Sequence, residues 1–183
     1  MLAALLSACG GDGGEGNDNA AKEPDKSSSM PTQPVEESPT QSEDGASVPD
    51  TSKTLATING SSGYQFVVHS AVRDQGGFLT ITASLKNTTS RMLIANPFWN
   101  GQEVGVKRTG PSFAGITLID KVEKKRYYVL RDTEGYPLTT TGITTVKAGE
   151  TKTIFAQFPA PPTRTSQVDI QIPEMPVATI EIS

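Results

Sequence analysis

The sequence is poor in the residues on which most enzymes depend. Its 183 residues contain one cysteine, one histidine and one tryptophan. A single cysteine excludes an internal disulfide, and a single histidine leaves any Cys–His or Ser–His–Asp site dependent on one imidazole. No run of 18 apolar residues occurs, so the sequence predicts no transmembrane helix. We therefore expect a protein that is not an enzyme and that holds no metal and no cofactor.

Aromatic residues and charge are distributed unevenly along the chain. Residues 10–53 contain ten acids, three lysines and no aromatic residue, whereas residues 54–183 contain all eleven aromatics, with 13 basic and ten acidic residues. The net charges are therefore −7 and +3. The first segment is rich in Gly, Ser and Pro, a composition that predicts a disordered acidic tether, although an acidic recognition segment is the alternative. The weak positive charge of residues 54–183 argues against binding to nucleic acid.

The first nine residues, MLAALLSAC, bear on where the protein is located. Their last four, Leu6-Ser7-Ala8-Cys9, resemble the lipobox of bacterial lipoprotein signal peptides, in which small residues precede a cysteine that receives lipid. The resemblance implies lipidation of Cys9. Acyl chains on Cys9 would anchor the protein to the cell membrane on its extracytoplasmic face. Because residues 1–9 lack a positively charged start, we interpret them as the remnant of a signal peptide.

Residues 54–183 have the pattern of a β-protein. Apolar and polar residues alternate at 79–86 and 168–172, which is typical of strands with one buried face. Turn residues such as Asn59-Gly60 and Asn100-Gly101 separate the candidate strands. These strands are residues 55–58, 64–72, 79–86, 91–95, 115–119, 126–131, 151–158, 168–172 and 178–182. The spacing predicts an immunoglobulin-like antiparallel β-sandwich of about eight or nine strands, with a hairpin turn at residues 118–128.

Three stretches of this domain also resemble a known group of proteins. HSAVRDQGGFLTITASLKNTTSR looks like the first hairpin of telokin-like, immunoglobulin-like bacterial domains. ITLIDKVEKKRYYVLRDTEGYPLT and KAGETKTIFAQFPAPPTRTSQVDIQIP are similar to a domain of actinobacterial envelope lipoproteins. The resemblance covers about residues 64–183. It implies the sandwich fold and a location in the cell envelope, and it supplies no catalytic residues.

Two groups of residues are candidates for a binding patch. Phe98 and Trp99 lie between Pro97 and Gly101, where an exposed pair would anchor a partner or glycan; alternatively, Trp99 fills the core between the sheets. The second group offers positive charge to an anionic wall polymer or lipid headgroups, and its alternative is a solvated turn. It consists of Lys121, Lys124, Lys125 and Arg126. The only histidine, His69, lies in a strand pattern and is interpreted as an ordinary sheet residue.

These observations support two functional hypotheses. The first is a lipid-anchored, non-enzymatic accessory or interaction module of the bacterial envelope, with an envelope protein or an anionic wall polymer as its partner. The second is a carrier of a small apolar or lipid ligand held between the two sheets. A carrier needs an apolar cavity of about 300 Å³ or more inside the sandwich. An interaction module needs a filled core and an exposed patch.

Overall fold

A computed structural model describes residues 51–183. Cys9, the signal-peptide remnant and residues 10–50 of the predicted tether lie outside the described residues. The described strands are β1 Ala56–Asn59, β2 Tyr64–Arg73, β3 Phe78–Asn87, β4 Leu93–Ile94, β5 Thr117–Asp120, β6 Lys125–Tyr128, β7 Thr145–Val146, β8 Thr151–Pro159, β9 Gln167–Gln171 and β10 Ala178–Glu181. The helical segments are a 3-10 turn, Pro97–Asn100, and one helix, α1 Val104–Lys107. Between residues 51 and 183, no helix is long and apolar enough to cross a membrane.

The strands form two four-stranded antiparallel sheets and one small pair. The first sheet has the order β1-β2-β3-β8, the second has the order β10-β9-β5-β6, and β4 pairs with β7. The predicted all-β sandwich is confirmed. The count of ten exceeds the expected eight or nine, because β4 and β7 are only two residues long and β7 carries no periodic pattern of its own. The hairpin predicted at residues 118–128 is present as β5 and β6, with Asp120 opposite Lys125.

One hydrophobic core lies between the two four-stranded sheets. Alternation along β3 directs Leu79, Ile81 and Leu85 inward, where each is almost completely buried. Val168 and Ile170 of β9 face them from the second sheet within the same cluster of buried residues. The outward positions of β3 are mostly polar. The strands therefore show the two-residue periodicity that the sequence predicts.

Long-range hydrogen bonds fasten the irregular segments to the first sheet. The guanidinium of Arg73, in the last position of β2, donates to the carbonyl oxygens of Pro161, Pro162 and Thr165. Ser183 pairs with the same strand, because its N–H donates to Ala71 O and its carbonyl accepts from Arg73 N–H, at 2.9 Å each. One strand end thus holds both the proline-rich loop after β8 and the residues that follow β10.

Candidate functional site

The 3-10 turn Pro97–Asn100 is stabilised by local features of the sequence. Asn96 caps it, because its side-chain oxygen accepts from Phe98 N–H at 2.9 Å, and Pro97 supplies a backbone angle that suits the first position. A 3-10 helix has three residues per turn, so neighbouring side chains point about 120° apart. Phe98 and Trp99 therefore face different directions.

Trp99 points into the core and is only 3% exposed. Its ring meets Tyr64 edge-on at 4.9 Å and stacks on Phe113 at 5.4 Å, while its indole N–H donates to Pro173 O at 3.2 Å. The idea of an exposed Phe98–Trp99 pair therefore does not hold for Trp99, which fills the core as its alternative reading expected. Burial raises the pKa of Tyr64, whose hydroxyl has no hydrogen-bond partner within the described part of the chain.

Phe98 remains 47% exposed and forms one wall of an open cavity of about 440 Å³, which we call the Phe98 cleft. The cleft lies on the outer side of the second sheet, between the 3-10 turn, α1 and strands β5 and β6. Its apolar wall consists of Phe98, Val106, Ala114, Tyr128 and Pro173. Tyr128 is 57% exposed. The cleft therefore has the volume of a ligand site and presents two accessible aromatic rings.

Three charged residues line the Phe98 cleft: Glu103, Arg131 and Glu174. Arg131 forms an ion pair with Glu103 across the cleft wall. The carboxylate of Glu174 accepts a hydrogen bond of 2.5 Å from the side-chain amide of Asn96. With two carboxylates and one guanidinium, the charged lining has a net charge of −1.

Gly115 allows the 3-10 turn to lie directly against the segment that leads into β5. Its N–H donates to Trp99 O at 2.7 Å. A Cβ atom at this position would come within 2.7 Å of Phe98 O, 2.8 Å of Trp99 O and 2.9 Å of Gly101 N. Because these neighbours are backbone atoms, they cannot move aside independently of the turn. The absence of a side chain at residue 115 is therefore a condition for the shape of the cleft.

The basic candidates lie in and beside the β5–β6 hairpin, and two of them bond to the outer face of the second sheet. Lys121 forms an ion pair of 3.0 Å with Asp169, and Arg126 donates to Gln171 Oε1 at 2.8 Å. Lys124 and Lys125 are exposed. None of the four lines the Phe98 cleft. Arg126 nevertheless borders the cleft, because its guanidinium also donates to Oγ1 of Thr117, a residue of the cleft lining, at 3.2 Å.

A buried carboxylate organises the turn of this hairpin. Asp120 accepts hydrogen bonds from Thr165 Oγ1 at 2.6 Å and from the N–H groups of Val122 and Glu123 at 2.9 Å each. Burial raises the pKa of Asp120, but these hydrogen bonds and the charge of Arg164 outweigh it, so the pKa lies below its ordinary value. Arg164 also pairs with Glu123 at 2.6 Å. Asp120 and Glu123 thus link the hairpin turn to Arg164 and Thr165 in the segment between β8 and β9.

His69 attaches the segment before β1 to the first sheet. Its Nδ1–H donates to Lys53 O at 2.8 Å, and its Nε2 lies 2.8 Å from Ser84 Oγ. A Ser–His pair of this length is compatible with nucleophilic catalysis. However, Ser84 lies inside β3, which is paired on both sides, so the backbone N–H groups around it belong to the sheet and are not free to form an oxyanion hole. The contacts of His69 therefore point to a structural role.

Residues 51–183 contain no group of three or more His, Cys, Asp or Glu side chains placed to hold a metal ion. The inferred cleft was not visible in the sequence, because its walls come from segments between residues 98 and 174. Among its residues, only Phe98 was singled out beforehand. The exposed aromatic beside Pro97 was the available signal.

Comparisons with known proteins add little to this geometry. No protein-family model matches the chain. No curated protein matches it either. Among solved structures, the chain is similar to a functionally unknown protein from Listeria monocytogenes EGD-e, with 10% sequence identity and a TM-score of 0.42. That similarity covers 72% of this chain and 82% of the Listeria protein.

Proposed function

We propose that the protein is a lipid-anchored, non-enzymatic interaction module on the extracytoplasmic face of a bacterial cell membrane, and that it binds an envelope protein at the Phe98 cleft. The lipobox-like residues before Cys9 and the resemblance to actinobacterial envelope lipoproteins support the location. The observation that carries the binding function is an open apolar cleft with two accessible aromatic rings.

The packing of the sandwich favours an interaction module over a carrier. The inward side chains of both sheets belong to one cluster of buried residues, including Leu79, Leu118 and Ile170 at 0% exposure. A ligand between the sheets would have to displace these contacts. The Phe98 cleft instead lies on the outer side of the second sheet, where a partner can approach without opening the core.

The distribution of charge favours a protein partner over an anionic wall polymer. A polymer of negative charge would need a cluster of accessible cations, but Lys121 pairs with Asp169 and Arg126 donates to Gln171, which leaves Lys124 and Lys125 exposed at the hairpin turn and outside the cleft. The charged lining of the cleft is net negative. Exposed aromatic rings at the edge of a cavity are typical anchors of protein–protein contacts.

Photocrosslinking in cells tests the binding face. A photoreactive phenylalanine analogue at position 98 should give a discrete crosslinked product with an envelope protein. The matched control is the same analogue at Phe155, which is 44% exposed on the outer face of the first sheet. A product from position 98 and none from position 155 is the expected result. Equal crosslinking from both positions, or none from position 98, would contradict the proposal.

Fractionation of cells tests the anchor separately. Because Cys9 is the only thiol in the chain, Cys9→Ser should move the protein from the membrane pellet to the soluble fraction. Ser7→Thr, which retains the cysteine and a small residue, is the control and should remain in the pellet. A Cys9→Ser protein that stays membrane-bound would refute the lipid anchor while leaving the binding face untouched.

A further inference from the structure

We infer that the occupant of the Phe98 cleft is a peptide segment of the partner in which an apolar side chain is followed by Lys or Arg. This inference rests on the proposed binding function and adds the chemistry of the ligand. It follows from three properties of the cleft: its apolar wall, the net charge of its lining and the exposed apolar side chains near it.

The apolar part of the ligand is indicated by the wall of the cleft. Val106 is buried beneath it, and Phe98, Ala114 and Pro173 complete an apolar surface within a volume of about 440 Å³. An aliphatic or aromatic side chain placed there would remove both its own surface and that of Phe98 from water. Burial of this kind is the main source of affinity in such sites.

The positive charge of the ligand is indicated by the carboxylates. Glu103 uses one oxygen to bind Arg131, and Glu174 uses one to bind Asn96. Each carboxylate keeps the capacity to accept further hydrogen bonds, because it has two oxygens with about four lone-pair sites. A cation beside them would also face the π-systems of Phe98 and Tyr128, which attract positive charge. An anionic ligand would meet repulsion from both carboxylates, and Arg131, the one cation among the residues that line the cleft, already pairs with Glu103.

The choice of a peptide over a free small molecule follows from the surroundings of the cleft. Exposed apolar side chains also lie near it: Ile94 lines a neighbouring cavity that shares Phe98 and Glu174 with the cleft, and Val104 belongs to α1, which supplies Val106 to the cleft. Small-molecule sites usually enclose most of the ligand surface. Here the cleft is open, and the adjoining exposed side chains offer contacts to residues before and after the one that enters. A chain can use those contacts, whereas a compact molecule cannot.

The test measures binding of short peptides to the full chain by NMR. The ¹⁵N-labelled protein is titrated with acetyl-Ala-Leu-Arg-Ala-amide, with the charge-reversed acetyl-Ala-Leu-Glu-Ala-amide and with the apolar-deleted acetyl-Ala-Ser-Arg-Ala-amide. We expect saturable shifts of the backbone N–H signals of Gly101, Gly115 and Tyr128 with the first peptide. Both other peptides should bind at least about tenfold more weakly, because each loses one of the two recognised features.

Two charge-neutralising variants assign the cation site. Glu174→Gln should lower the affinity for the Leu-Arg peptide about threefold to fivefold, because it removes one partly exposed ion pair. Glu181→Gln, in β10 and outside the cleft, is the matched control and should leave affinity unchanged. Butylammonium is a further probe, and binding as tight as that of the Leu-Arg peptide would overturn the assignment to a peptide.

The other outcomes separate this inference from the proposed function. Equal binding of the Leu-Arg and Leu-Glu peptides, or no saturable binding of either up to about 10 mM, would overturn the ligand class. A crosslinked partner at position 98 would then still support the binding face. If position 98 gives no crosslinked partner while the Leu-Arg peptide binds as expected, the cleft chemistry stands and the envelope-protein partner fails.

Discussion

The 3-10 turn Pro97–Asn100 and the β5–β6 hairpin are both candidates for a binding surface, and they differ in the side chains that they expose. In the hairpin, Lys121 pairs with Asp169 and Glu123 pairs with Arg164, whereas Lys124 and Lys125 are exposed. In the 3-10 turn, Phe98 is left half exposed beside a cleft. The hairpin therefore offers exposed positive charge, and the 3-10 turn offers an exposed aromatic ring beside a cavity.

The largest expected effect is the loss of Trp99 from the core. Trp99→Ala should lower the free energy of unfolding by about 3–5 kcal/mol, since it removes a buried aromatic residue stacked on Phe113. Phe98→Ala, one residue away, should cost no more than about 1 kcal/mol because half of its surface is already in water. Chemical denaturation measures both values. Equal losses of unfolding free energy from the two variants would mean that Phe98 and Trp99 are packed to the same extent in solution.

Tryptophan fluorescence tests the burial of Trp99 without a substitution. Trp99 is the only tryptophan, so the emission spectrum reports on this one site. A blue-shifted emission that iodide quenches poorly is expected for the buried ring. A red-shifted and readily quenched emission would mean that the turn is open in solution.

Gly115→Ala tests the close approach of the 3-10 turn to the segment before β5. The added Cβ would overlap three backbone atoms of the 3-10 turn, and overpacking of this kind costs about 1–3 kcal/mol. Gly105→Ala in α1 is the control, because no atom lies within 4 Å of the added Cβ and alanine favours a helix. Thermal unfolding should show a loss for the first variant and none for the second. A neutral Gly115→Ala would show that the turn can move away from β5 at little cost.

Thr165→Val tests the network that holds the hairpin turn. It removes the hydroxyl that donates to Asp120 and should cost about 1.5–3 kcal/mol at pH 7, the range for a hydrogen bond to a charged group. Because the pKa of Asp120 is lowered in the fold, its stabilisation is present above the ordinary pKa and is lost as the pH falls through the lower folded value. The difference between the two proteins should therefore shrink below about pH 4. A difference that is constant with pH would assign the loss to packing alone.

The smallest expected effect belongs to the exposed ion pair of the hairpin. Lys121→Ala should change stability by less than about 1 kcal/mol, because its side chain is mostly in water and salt screens the pair with Asp169. Lys124→Ala is the control on the same turn. Chemical denaturation at low and high salt measures the free energy of unfolding of both variants. The two values should become equal at high salt. A loss above 2 kcal/mol from Lys121→Ala would mean that the surface charges support the fold far more than their exposure implies.

The strands were predictable from local patterns, whereas the cleft was not. Alternation at residues 79–86 predicts β3 because each strand residue reports which face is buried. The opposite directions of Phe98 and Trp99 depend on the 3-10 conformation, and apolar residues in a loop carry no periodic signal. A side chain at Gly115 is excluded by backbone atoms of residues 98–101, and no local sequence pattern reports a contact between these two segments. The cleft therefore depends on long-range contacts between irregular segments, which local sequence patterns do not report.

The hydrogen bond between His69 and the segment before β1 has a mechanical consequence. Lys53 is held at His69, five residues along β2 from Tyr64, which touches Trp99 beside the Phe98 cleft; at 3.3 Å per residue this is roughly 17 Å. A pull on Lys53, opposed by a partner held at the cleft, would have a component along β1 and β2. Their four paired positions, from Ala56–Val68 to Asn59–Gln65, would then bear the load together in shear, so that the bonds resist as a group and do not open one after another.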